Sequence, residues 1–333
     1  MANRFWVGGT GTWNAVNTAN WSTTSGGAGG ASVPVAADQA LFNALSGGGT
    51  VTLAYTPVIL SFAVAGFTGI IDFNGNIVQV AGNGITVFSQ DTAASFAGTP
   101  IIELTYAGAT GTRTLTAVSG ANEAKAVNIR VIAGTDIIAT GNNRSYRNVD
   151  FTGFSGTLTN TLRTIYGSLT LSAGITLTAG TSTTNFAATS GTHTHTFAGK
   201  TLDFPVTFNA PGSTQVFNDA LVVGATRTLT LTAGTIKFKS AATSSAGTFA
   251  IVGSPSVTIN ATTGGSAATI SQTTGTVNAS NATIKDITAT GGATWNAFVT
   301  NNNVNDGGNT GWDFFTQAGQ YMYNVRKSKR ILI

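Results

Sequence analysis

The chain has 333 residues, of which 8% are charged, 42 are glycine and none is cysteine. A hydrophobic fraction of 42% spread in short runs excludes a disordered chain, and the missing cysteines exclude a disulfide scaffold or a thiolate metal site. The net charge of +4 belongs to one stretch, because Arg326, Lys327, Lys329 and Arg330 equal the whole excess of 16 basic over 12 acidic residues; the remaining body is neutral, which argues against specific nucleic-acid binding.

The N-terminus runs straight into a Gly/Thr turn with no apolar core of a secretion signal, so synthesis in the cytoplasm is expected. Trp6, Trp13 and Trp21 fall within the first 21 residues, and Trp295 and Trp312 within the last 39. Between them lies a long tryptophan-free stretch of Val, Ile, Leu, Thr, Ala, Gly and Asn, the pattern of a stack of similar turns whose open ends are covered by large aromatics. Residues 1–45 are read as an N-terminal Trp/Gly-rich cap. The Gly8, Gly9 and Gly11 cluster is no phosphate loop, since neither a lysine nor a helix start follows it.

Residues 46–290 read as the repetitive body. Short β-branched runs ended by Gly or Asn recur at 50–53, 69–73, 126–132, 169–171 and 256–260. One strand-plus-turn phrase returns in variants at 111–116, 167–174, 174–180 and 227–234. Turns of roughly 20 to 25 residues would give about ten to twelve coils. The predicted fold is all-β, a right-handed parallel β-helix (solenoid) with aromatic-rich caps at both ends. An array of β-sandwich modules is the alternative, against which the absence of linkers counts. No run approaches the about 18 apolar residues of a membrane span.

Three patterns in the body and beyond it carry candidate chemistry. His193 and His195 sit two apart on a strand and so share a face; as metal ligands they lack a supporting carboxylate nearby, and two surface imidazoles are the plainer reading. Asp72, Asp91, Glu103, Asp136 and Asp150 would suit glycan cleavage if two of them converged in one groove, whereas isolated acids at turns are the commoner case. Residues 305–309, Asn-Asp-Gly-Gly-Asn, offer oxygens for calcium but fit a tight turn better.

Residues 291–316 are read as the C-terminal cap, with Trp295, Trp312 and Phe314 over the end of the core. Residues 317–333 change character abruptly. Tyr321, Tyr323 and Val325 alternate as in a strand, Arg326, Lys327, Lys329 and Arg330 follow, and Ile331, Leu332 and Ile333 close the chain. The expectation is a segment that docks on a neighbouring subunit by strand addition and charge pairing.

The opening motif Arg-Phe-Trp-Val-Gly-Gly-Thr-Gly-Thr-Trp-Asn at 4–14, with Asn-Trp-Ser at 20–22, resembles the start of many β-solenoid surface proteins of bacteriophage virions. The closing stretches 289–297 and 305–314 are similar to the ends of the same proteins. The resemblance implies a non-enzymatic structural protein on the virion surface, of tail-fibre, tail-spike or capsid-decoration type, with no cofactor. It implies other virion proteins as partners, self-association as a homotrimer, and contact with host-surface glycans. A polysaccharide-cleaving tail spike and a bacterial adhesin passenger are the alternatives.

Overall fold

The structure, a computed structural model, describes residues 1–159 and 162–315. Among these residues the only helical elements are two 3-10 turns, Ala44–Ser46 and Val299–Asn301. All other regular structure among them is β-strand, and almost every strand pairs in parallel with its counterpart one turn earlier and one turn later. The chain is therefore a parallel β-solenoid of about 12 turns. Sandwich modules would require antiparallel neighbours within each module, and that alternative falls. Paired positions in adjacent turns are 18 to 28 residues apart through most of the chain and 36 to 40 in the first turn.

The chain divides into two compact units, 1–184 and 185–333, at a position where composition gives no break. The N-terminal unit carries three sheets. The first runs from Ala2–Trp6 through Asp38–Asn43, Ser61–Ala65, Thr86–Gln90, Thr112–Thr116 and Ile137–Thr140 to Thr157–Thr159 and Thr176–Leu177. The second stacks Gly11–Trp13, Thr50–Leu53, Ile70–Asp72 and Ser95–Ala97. The third begins at Val58–Ile59 and continues through Val78–Val80, Ile101–Leu104, Val127–Val131 and Ser145–Asp150. Alternation sends every second side chain inward, where it meets the equivalent residue of the next turn. Ala40, Phe62, Phe88 and Leu115 form one such buried row.

The C-terminal unit uses longer strands on its main face: Val206–Phe217, Thr228–Phe238 and Thr248–Ala261, then Ser280–Lys285 and Val304–Asn305. Ile236, Ile259 and Ile284 stack inside with no exposed surface, each such burial contributing about 1.5–3 kcal/mol. On the outer side of the same strands Thr192, Thr214, Thr235, Thr258 and Thr283 run in register as a polar ladder. Threonine suits this place because its branched Cβ favours the extended backbone while its hydroxyl stays in reach of water.

Candidate functional site

At the N-terminal end the three tryptophans are completely buried. Trp6 packs edge-on against Trp21 with ring centroids 5.3 Å apart and stacks on Phe42 at 5.8 Å, while Trp13 meets Trp21 at 5.0 Å. The cluster does not stop at residue 45: Phe42 touches Phe62 and Phe67, and Phe62 touches Phe88 and Phe96. The glycine cluster at 8–11 wraps the Trp6 indole. Its Nε1–H donates to the Gly9 carbonyl at 2.9 Å, and a Cβ on Gly11 would lie 2.9 Å from the ring. The open edge of the first strand is closed by Trp21–Ser22, which pairs antiparallel to Ala2–Trp6 with Trp6 opposite Trp21. An antiparallel strand in this position ends the parallel stack and blocks edge-to-edge growth.

The C-terminal end is built differently. Trp295 is buried, packs on Phe249 at 5.3 Å and donates its Nε1–H to the Thr290 carbonyl. Trp312 lies 5.2 Å from Trp295 and is only half-buried, as is Phe314 beyond it. Phe315 is 67% exposed, Val299 54% and Val304 51%. The turn at 305–309 holds this cap. Asn305 Oδ1 accepts from the Gly307 N–H and from Asn309 Nδ2, Asn309 Oδ1 accepts from the Ile287 N–H, and Asp306 pairs with Lys285 at 3.4 Å. Its side-chain oxygens are thus engaged in turn geometry rather than gathered round a cation. The proposed docking residues Tyr321, Tyr323, Arg326, Lys327, Lys329, Arg330, Ile331, Leu332 and Ile333 lie outside the described residues.

The five candidate acids do not converge. Asp72 Oδ1 accepts from the Asn74 N–H, Asp91 accepts from the N–H groups of Gly66, Ala93 and Ala94, and Asp150 Oδ1 accepts from the Thr152 N–H. Glu103 and Asp150 do share one row of the third sheet, with Arg130 in register between them. Arg130 is ion-paired with Glu103, whose other oxygen accepts from Gln79 Nε2 at 2.7 Å.

Asp136 has another use, one that lies inside the core. Its carboxylate forms a bidentate pair with Arg113 at 2.7 and 2.9 Å, and both side chains are wholly buried. The guanidinium lies 5.7 Å from the Tyr106 ring centroid and 5.5 Å from that of Phe154. Arg113 occupies a row whose next members are Ile138, Leu158 and Leu177. The signal was present: Arg113 has the same parity as buried Leu115, and Asp136 the same parity as buried Ile138, so alternation points both inward.

The two histidines part company. His193 is half-exposed, with Nε2 2.9 Å from the Ser190 carbonyl. His195 is wholly buried; its Nε2 lies 2.7 Å from Gln215 Oε1, and Gln215 Nε2 donates to Ser213 Oγ. Phe186, Phe197, Phe208 and Phe217 surround the imidazole, and burial lowers its pKa to about 4. The surface-strand expectation is therefore corrected for His195, which packs in the core as a neutral ring. Among the described residues no three His, Cys, Asp or Glu side chains gather as a metal site.

No helix among the described residues is long and apolar enough to cross a membrane. No protein family, curated protein or solved structure matches this chain.

Proposed function

We propose that the chain is a structural protein on the surface of a bacteriophage particle, a β-helical fibre, spike or capsid-decoration subunit that attaches through its C-terminal end. The observation that carries this reading is the difference between the ends. The N-terminal aromatics are sealed, whereas the last turn leaves Trp312 and Phe314 half-exposed beside Val299, Val304 and Phe315. Apolar groups gathered at the end of a stack mark a place where another surface is meant to sit. The segment that follows supplies alternating Tyr321, Tyr323 and Val325, four cations and three terminal aliphatics, a composition suited to strand addition with charge pairing.

The fold supports a supporting rather than a yielding role. Parallel stacking pairs each interior strand on both sides, and the candidate carboxylates bind backbone N–H groups or cations instead of facing a common groove. Removal of residues 317–333 tests the attachment: the truncated chain should keep the circular dichroism and melting temperature of the full chain and fail to enter particles. Normal incorporation of the truncated chain would refute attachment by this segment.

A further inference from the structure

A cleft of about 360 Å³ opens in the N-terminal unit between the second and third sheets, where Phe96, Thr99, Lys125, Asn128, Arg147 and Asn148 meet. Two of these residues are cations, in a chain that has few, and no carboxylate lines the space. Five cations elsewhere, Arg4, Arg113, Arg130, Arg227 and Lys285, each sit within ion-pair distance of an Asp or Glu. Lys125 and Arg147 are held differently. Lys125 Nζ donates to the Thr92 carbonyl, and Arg147 Nη2 donates to the Glu123 carbonyl at 2.9 Å. Carbonyl oxygens orient both groups without cancelling their charge, which leaves each with further N–H donors.

The walls are also fixed. Asn128 Nδ2 donates to the Pro100 carbonyl, Asn128 Oδ1 accepts from Asn148 Nδ2 at 2.7 Å, and Asn148 Oδ1 accepts from the Ser168 N–H. The lip is strained: Gly98 and Thr99 are consecutive left-handed residues, at φ 69° and 55°. A β-branched residue adopts that conformation only under strain, and such strain persists where the surroundings impose it, often at binding sites. Behind the lip the Asp72 carboxylate lies against Gly98 and accepts from the Asn74 N–H. Phe96 adds a half-buried ring as a flat apolar wall.

We propose that this cleft binds an oxyanion, a carboxylate, phosphate or sulfate group carried by a small polar ligand, with Lys125 and Arg147 as charged donors and the Asn148 amide as a neutral one. Charge-assisted bonds from a guanidinium and an ammonium to one oxyanion are the strong kind, and here both donors are already oriented. The inference is independent of the particle role proposed above.

Titration of the full chain with inorganic phosphate, sulfate and acetate, followed by amide shifts in NMR, tests it, with acetamide as the neutral twin of acetate. The expected result is saturable binding of at least one oxyanion, shifts centred on 97–100, 125 and 147–148, and no saturation by acetamide. Preference for phosphate or sulfate would identify a tetrahedral ligand group, and preference for acetate a carboxylate. Lys125→Gln and Arg147→Gln should each weaken binding by about tenfold or more while the melting temperature stays close to that of the parent. Using both variants keeps the test sharp if Arg147→Gln unfolds through loss of its bond to Glu123. No saturable response to any of the three anions, equal binding of acetamide and acetate, or unchanged affinity in the folded variants would overturn the proposal.

Discussion

The two ends of this chain start from the same ingredients and finish differently. Each has tryptophans among glycines and asparagines, and each places one indole against a phenylalanine of a neighbouring strand, Trp6 on Phe42 and Trp295 on Phe249. At the N-terminus the aromatics bury one another and an antiparallel strand closes the edge. At the C-terminus the aromatic file runs from Trp295 through Trp312 to Phe314, and the last strand of the described residues, Val304–Asn305, pairs among them on one side only. The lesson is that a tryptophan-rich end does not by itself mean a closed end. What closes it is a second layer of chain over the indoles, which residues 14–37 supply at one end and the described residues do not supply at the other.

The largest effect expected from this contrast is at the closed end. Trp13→Ala should destabilise by about 3–5 kcal/mol, because it empties a fully buried indole site ringed by Trp21, Phe42 and Phe62. Urea unfolding followed by circular dichroism measures it, and a loss below about 1 kcal/mol would mean that the cap is not packed as described.

Next in size is a pH effect confined to the C-terminal unit. His195 has a folded-state pKa of about 4 against 6.5 for the free side chain, so the unfolded chain binds the proton more readily. Stability from keeping this ring neutral is full above pH 6.5 and is lost as pH falls from 6.5 toward 4, to a total of about 3 kcal/mol. Hydrogen exchange at pH 4.5 and at pH 7 should show 185–315 loosening first in acid. His195→Leu should flatten that dependence; an equally steep profile in the variant would assign it to another group.

Smaller effects belong to the open end. Trp312→Ala should cost about 1–2 kcal/mol, since the indole is less completely buried than that of Trp13, and Phe315→Ser should stay within about 0.5 kcal/mol. A Trp312 loss as large as that of Trp13 would erase the distinction between the ends.

Much of the fold was legible because its signals are local and repeated. Alternation with period two, glycine or asparagine at each corner, and the returning Thr-Leu-Thr phrase fix strand, corner and stacking direction without any long-range information. The tryptophans of the N-terminal cap were legible for the same reason, but its extension through Phe42, Phe62, Phe67 and Phe88 was not, since single phenylalanines one turn apart look like any core residue. Arg113 was not singled out and Asp136 was read as a candidate acid for a groove or an isolated acid at a turn, although the parity of both points inward. His195 was placed on a strand correctly and on the wrong side of it, and Gln215 one turn later was the missing clue: a second polar residue at an inward position that could satisfy it. The cleft at Lys125 and Arg147 depends on turns of unequal length bringing 96–100, 125–128 and 147–148 together, which no local pattern encodes.

Cryo-electron microscopy of intact particles carrying this chain tests the central claim most directly, by asking which end meets a neighbour. The account predicts density with Val299, Val304, Trp312 and Phe314 against an adjoining virion protein and the Trp6, Trp13 and Trp21 end pointing into solvent. Density with the N-terminal end in contact and the C-terminal turn bare, or particles without the chain, would contradict it.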